Sequence, residues 1–234
     1  MPKLRIDPEL MIRAPGATLG VLCADVTVQP SSARLRAEFD GVGERAAAGL
    51  EMSTIREVEE ISAMRKAYKA CGKDPNRYRG SAEALLRRLV SGNSLYYINN
   101  VVEVNNMVSL KYAVSAGSYD LARLTGEVVF TIGAAGAHYA SHSREVMNLE
   151  CMPVFVDAEG PFGSPTSDSQ RALIRPETQR LMLVIISFCG NRDTIQSGMD
   201  LAQDALAMHC EASNFDSIVL DGRAHGHSNT ATVV

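Results

Sequence analysis

Between Arg65 and Arg88 the chain sets eight basic residues (Arg65, Lys66, Lys69, Lys73, Arg77, Arg79, Arg87 and Arg88) against two acids, Asp74 and Glu83. The local charge of +6 stands in a chain whose formal total is -4. Cations segregated in this way suit a phosphate-binding surface, since each one set against a phosphate releases condensed counterions. A solvated helix face is the plainer alternative. Five of the eight are arginines, and Tyr68, Tyr78 and Tyr96 flank them. That mixture leans toward RNA, where guanidinium and aromatic planes stack on bases.

A second stretch, Tyr96 to Tyr112, carries Asn99, Asn100, Asn105 and Asn106 around one carboxylate, Glu103. On a helix, Val101, Val104 and Val108 form a buried side, while Asn99, Glu103 and Asn106 line up at spacings of four and three. Asparagine is a poor helix former because its side chain competes for its own backbone. A requirement other than helix propensity therefore acts here, and a pocket wall of short donors and acceptors around a carboxylate meets it. Turn-capping asparagines with a partial strand, suggested by Val102 and Val104, remain the other reading. A third stretch, Asp157 to Arg171, packs Gly, Pro, Ser, Thr and Asp168 into a loop after a strand, but it lacks the Gly-x-Ser-x-Gly elbow of serine hydrolases.

Other candidates carry less. Gly133-Ala-Ala-Gly-Ala-His138 lacks the Lys-Ser/Thr of a phosphate loop. His138 and His142 lie four apart with no glutamate between them, and His225-Gly-His227 has no acidic or cysteine ligand at zinc spacing. No metal and no cofactor is expected. The five cysteines are odd in number and form no Cys-x-x-Cys pair, which fits reduced thiols.

Positioning these residues requires regular elements. Thr18 to Val28 reads as a strand; Ser31 and Ser32 cap a helix through Leu35, Phe39 and Val42. Thr54 and Glu57 form a capping box for a helix carrying Ile55, Val58, Ile61, Met64 and Tyr68 and ending at Gly72. Ser81 caps the next, with Leu85, Leu86, Leu89 and Val90 buried and Gly92 closing it. Strands are expected at 127–132, 152–156, 181–188 and 217–220, and a last helix at 200–210. Helices early and strands late give an α+β domain, and no linker divides the 234 residues, so a single domain over 1–234 is expected. With 46% apolar residues a sizeable core is available, which excludes general disorder. The charged, proline-bearing start (MPKLRIDPEL) and the absence of a bilayer-length apolar run lead to the expectation of a cytoplasmic protein without membrane contact.

Taken in order, Tyr68-Lys-Ala-Cys-Gly72, Pro75 with Arg77 and Arg79, Ser81-Ala-Glu-Ala-Leu-Leu-Arg-Arg-Leu89, Ile98-Asn-Asn-Val-Val-Glu-Val-Asn-Asn106, Gly117-Ser-Tyr-Asp120, Gly126-Glu-Val128 and Gly160-Pro-Phe-Gly163 to Asp168 resemble the B3/B4 domain of the phenylalanyl-tRNA synthetase β subunit. The likeness is nearest to freestanding proteins made of little more than that domain, and covers about residues 65–171. It implies helices packed around a β-sheet sandwich, and a pocket that in the synthetase hydrolyses tyrosine wrongly esterified to phenylalanine tRNA. Glu103, Asn105 and Asn106 stand where the synthetase pattern has Asp, Thr and Asn. Gly117 stands where it has a histidine, and its Gly-Gly-Glu segment has no counterpart after Asp157.

The function expected is hydrolysis, in trans, of the aminoacyl ester of mischarged tRNA. The alternative is a non-catalytic module of the same fold that binds tRNA or an amino acid. An ester is already activated, so positioned water and a polarised carbonyl suffice. The candidate catalytic residues are Glu103, Asn106 and Asp168. Those for substrate binding are Asn99, Asn105, Ser109, Tyr119, Asp120, Thr166 and Ser167. The basic residues from Arg65 to Arg88 would hold the tRNA. No DNA partner and no aminoacylation motif is expected.

Overall fold

A computed structural model describes residues 1–141 and 146–222. In chain order its elements are β1 (Leu4–Ile6), α1 (Pro8–Arg13), β2 (Thr18–Asp25), α2 (Ala33–Ala47), α3 (Glu59–Cys71), α4 (Ser81–Val90), α5 (Asn100–Tyr112) and β3 (Ser115–Asp120). They continue with β4 (Val128–Ile132), β5 (His138–Tyr139), β6 (Met147–Asn148), β7 (Pro153–Asp157), β8 (Gly160–Gly163), β9 (Arg180–Ser187), α6 (Arg192–His209) and β10 (Ser213–Asp221).

Two sheets of four strands carry the architecture, one in the order β1-β4-β7-β8 and one in the order β10-β2-β9-β3. In the second, all neighbours are antiparallel. The central pair, β2 and β9, is buried on both faces, which explains its unbroken apolar sequence. Leu19, Val21, Cys23, Met182, Val184 and Ile186 point toward the first sheet, where Phe130 and Phe155 stack at 4.4 Å between ring centres. Their alternates, Leu22, Ala24, Leu181, Leu183 and Ile185, meet α2, α5 and α6 on the other side. The result is the expected α+β arrangement of helices against a sheet sandwich.

Several boundaries differ from those expected. Thr54 forms no capping box: its hydroxyl donates to the Glu51 carbonyl and accepts from the Glu51 amide, so a 3-10 turn over Ile55–Glu57 precedes α3. At α4 the cap is Gly80, and Ser81 is the first helical residue. Asn100–Tyr112 is helical throughout, so the partial-strand reading of that stretch does not hold. The last helix begins at Arg192, capped by Asn191, well before residue 200. β3 was not anticipated, since Ser-Ala-Gly-Ser-Tyr-Asp has no run of strand-forming residues; its pairing with β9 makes it one.

Candidate functional site

The asparagine-rich helix spends its polar groups on holding itself in place. Asn99 caps α5 by accepting from the Val102 amide at 2.9 Å. Asn100 donates from Nδ2 to the carbonyls of Thr27 and His209, and accepts from the Gln29 amide. Glu103 is wholly buried, and its Oε1 accepts from the Ile98 amide at 2.6 Å, while Oε2 has no partner among the described residues. Loss of solvation pushes its carboxyl pKa up, against the opposing pull of the backbone amides. Asn105 is buried between the Ala116 carbonyl, to which it donates, and the Ser118 hydroxyl, from which it accepts. Ser109 is buried with its hydroxyl unpartnered, and Asn106 is half-buried beside Asn105. The open pocket wall expected around Glu103 is therefore a packed helix–sheet contact, because helix termini and strand carbonyls claim the amides first. Asp120, also buried, accepts from the Ala122 amide and the Thr178 hydroxyl.

A different group of polar side chains gathers on the opposite face of β3. Ala116 and Ser118 point toward α5; Gly117 and Tyr119 point toward the loop after β8. Tyr119 donates to Asp168 Oδ1 at 2.8 Å. Tyr68 of α3 pairs with the Thr166 hydroxyl at 2.8 Å, and Tyr139 donates to Ser164 and to the Ser167 carbonyl. The Ser81 amide at the start of α4 donates to the Pro165 carbonyl. Three tyrosines thus hold one loop, on which Thr166, Ser167 and Asp168 keep partial exposure. Gly117 and Gly163 are required here: a Cβ on either would overlap the Tyr119 hydroxyl. Dense protein around Asp168 strips its solvation and raises its pKa from 3.8 to about 7, the Tyr119 bond and the Ser164 amide opposing. Tyr119 is itself pushed well above its usual value, first by burial and then by the Asp168 charge. Of the residues expected to act together, Asp168, Thr166, Ser167 and Tyr119 are brought into one place; Asn99, Glu103, Asn105, Asn106, Ser109 and Asp120 are not.

The basic cluster divides in two. Lys73 is 7% exposed, its ammonium donating to the carbonyls of Asn148 and Glu150 and to Asn148 Oδ1 at 2.8–2.9 Å, with the Tyr78 ring 4.1 Å away. It is a structural cation, and the expectation that it meets nucleic acid is corrected. Desolvation draws its pKa down. Glu83, fully buried, gathers Arg65 at 3.0 Å, Arg87 at 2.8 Å and Arg79 at 3.9 Å. Arg88 donates to the Ser94 carbonyl and lies over the Tyr96 ring. Lys66, Lys69, Arg77 and Arg79 are exposed. A cleft of about 330 Å³ is lined by Arg56, Ser62, Arg65, Lys66, Lys69 and Asn76. Arg56, which the sequence reading missed because it lies outside the dense run, joins it through the 3-10 turn. The side chains of Arg56, Lys66 and Lys69 make no hydrogen bond or ion pair among the described residues, and no acid lines the cleft. A larger depression of about 550 Å³, bounded by Val42, Arg45, Met107, Lys111 and Leu201 among others, contains none of the expected site residues.

Among the described residues no group of three or more His, Cys, Asp or Glu side chains is arranged to hold a metal, and no helix is long and apolar enough to cross a membrane. His142, His225 and His227 lie outside the described residues.

No curated protein sequence matches the chain. A solved N-terminal fragment of the phenylalanyl-tRNA synthetase β-subunit from Pyrococcus horikoshii superposes with a TM-score of 0.51 at 10% identity. The match covers 93% of this chain and 53% of that one, so the chain spans about half the length of the fragment it matches. At that identity the likeness is one of fold. The B3/4 domain family matches residues 63–209, more than half of the chain, from the middle of α3 to the end of α6. The chain belongs to the B3/4 domain family.

Proposed function

We propose that this domain binds aminoacylated tRNA through the cationic cleft beside α3 and hydrolyses the ester of mischarged tRNA in trans, with Asp168 as the base. The observation that carries this reading is the Tyr68–Thr166 hydrogen bond, which fastens the helix bearing Arg65, Lys66 and Lys69 to the loop bearing Asp168. Polyanion and reacting ester would then meet neighbouring parts of one surface. A carboxyl with a pKa of about 7 is half ionised at neutral pH, the condition in which a general base is most effective. It accepts one proton from water as the hydroxide equivalent adds to the ester carbonyl. With Tyr68 donating to Thr166, the Thr166 hydroxyl proton is left for the developing oxyanion. Collapse of the adduct breaks the bond to the ribose oxygen, which takes the proton back from Asp168. Gly117, which resembles the position of the synthetase histidine, borders Asp168, and the Tyr119 hydroxyl fills the space a larger side chain would take.

One observation favours the alternative, a binding module without hydrolysis: Glu103 and Asn105, the other groups expected at the ester, are consumed inside the fold. A panel of misacylated tRNAs separates the two. Release of amino acid above the no-protein rate, abolished by Asp168→Asn with tRNA affinity retained, is the expected result. Binding that falls steeply with salt but releases nothing supports the module. Replacing Arg56, Lys66 and Lys69 together by Gln should lower the slope of log affinity against log salt by about 2 to 3; tRNA affinity indifferent to both salt and these substitutions overturns the proposal.

A further inference from the structure

In the connection between α4 and α5 the chain exposes three consecutive large side chains, Tyr96, Tyr97 and Ile98, at 62%, 42% and 59%. Nine large apolar residues are exposed among the described residues; these are three of them, and a fourth, Met52, lies 3.0 Å from Nη1 of Arg87 in α4. Elsewhere such residues are scattered singly, which needs no explanation; a contiguous group does. The two rings are also held in position. The Arg88 guanidinium lies 3.7 Å from the Tyr96 ring centre, donates to the Tyr96 hydroxyl at 2.7 Å and is itself fixed by the Ser94 carbonyl. Arg36 lies 4.9 Å from the Tyr97 ring centre, Phe39 meets that ring edge-on, and the Tyr97 hydroxyl donates to Asp40.

We propose that Tyr96 and Tyr97, with Arg36 and Arg88, form a stacking platform for unpaired bases of an RNA strand. Exposed aromatic planes backed by guanidinium groups meet two needs of a single strand at once, since every base has a π-face and every linkage a negative charge. Of the acids beside the group, Asp40 accepts from the Tyr97 hydroxyl, and Glu103, wholly buried, accepts from the Ile98 amide. Continuity with the cleft supports the same occupant: Arg79 just ahead of α4 and Glu83 and Arg87 within it follow at spacings of four, and Glu83 also binds Arg65 of the cleft wall. A backbone held at α3 can therefore continue over a basic surface to the two rings. The proposal rests on the RNA-binding reading and adds to it a site for unpaired nucleotides.

The test compares a labelled RNA hairpin with the same hairpin carrying a single-stranded adenylate tail, by fluorescence anisotropy. Wild type should bind the tailed form more tightly, and Tyr96→Ala with Tyr97→Ala should erase the gain, about tenfold for each ring, while leaving affinity for the blunt hairpin and the salt slope unchanged. Circular dichroism checks that the variant is folded. Phe at both positions should restore the gain. A tail that adds nothing, or a gain that survives the double substitution, overturns the platform even if the hairpin binds; failure of both RNAs to bind sinks the RNA-binding reading as well. Concentration-dependent self-association in sedimentation that the double substitution abolishes would assign the surface to a second copy of the chain instead.

Discussion

Replacing Asp168 by Asn removes a charge that the fold disfavours, and the consequence can be worked out from its surroundings. The carboxyl pKa is about 7 in the folded chain against 3.8 without it, chiefly through lost solvation. Because the folded state holds this proton more tightly, the contribution of this carboxyl to stability is greatest below pH 4, falls as pH rises through the window from about 4 to 7, and is constant beyond it. The full shift corresponds to about 4 kcal/mol. Asp168 keeps some contact with solvent, so screening reduces the figure, and about 2–4 kcal/mol is expected. The asparagine Oδ1 still accepts from Tyr119, whereas its amide group cannot accept from the Ser164 amide, which adds an offset independent of pH. Urea unfolding of both proteins between pH 4 and 8, with midpoints compared at constant slope, measures the difference. Glu60 and Glu103, whose pKa values are also raised by burial, cancel in it. The variant should gain 2–4 kcal/mol relative to wild type across this range; a difference that stays flat, or moves the other way, refutes the assignment of a costly buried carboxylate.

Substitutions at two further positions test the corrected roles. Lys73→Met strands the carbonyls of Asn148 and Glu150 and should lower stability by about 3 kcal/mol in guanidinium unfolding, without altering the salt slope of RNA binding. Glu103→Ala leaves the Ile98 amide without its acceptor and should cost about 2–3 kcal/mol, whereas Glu103→Gln keeps an acceptor and should change stability by less than about 1 kcal/mol; ester hydrolysis, assayed with the Gln variant, should be unaffected.

What the sequence discloses depends on how local the governing interaction is. The β2 and β9 runs and the stripe through Ile61, Met64 and Tyr68 are set by near neighbours and are readable from composition and spacing, whereas Asn99, expected at the substrate, caps α5 instead. Asn100 is not readable in that way, since its partners Thr27 and His209 lie 73 and 109 residues away. The same holds for Lys73, whose acceptors are 75 and 77 residues downstream and whose charge looks free in the sequence. Within the cationic run, Glu83 passes for a minor acid until three arginines converge on it. Asp168 is a candidate from its turn-rich loop and the family resemblance, but its partner Tyr119 arrives from β3, 49 residues earlier, and no local spacing discloses that bond.

The pairing of β9 with β2 bears on how the domain can be cut. The family match begins at residue 63, yet β2 ends at Asp25 and is bonded to β9 along all eight of its positions. A fragment trimmed to the matched span would leave Leu-Met-Leu-Val-Ile-Ile with its backbone donors and acceptors bare along one side. Such an edge recruits any extended chain it meets, so the trimmed fragment should precipitate or form fibres, and every expression boundary has to retain residues 18–25.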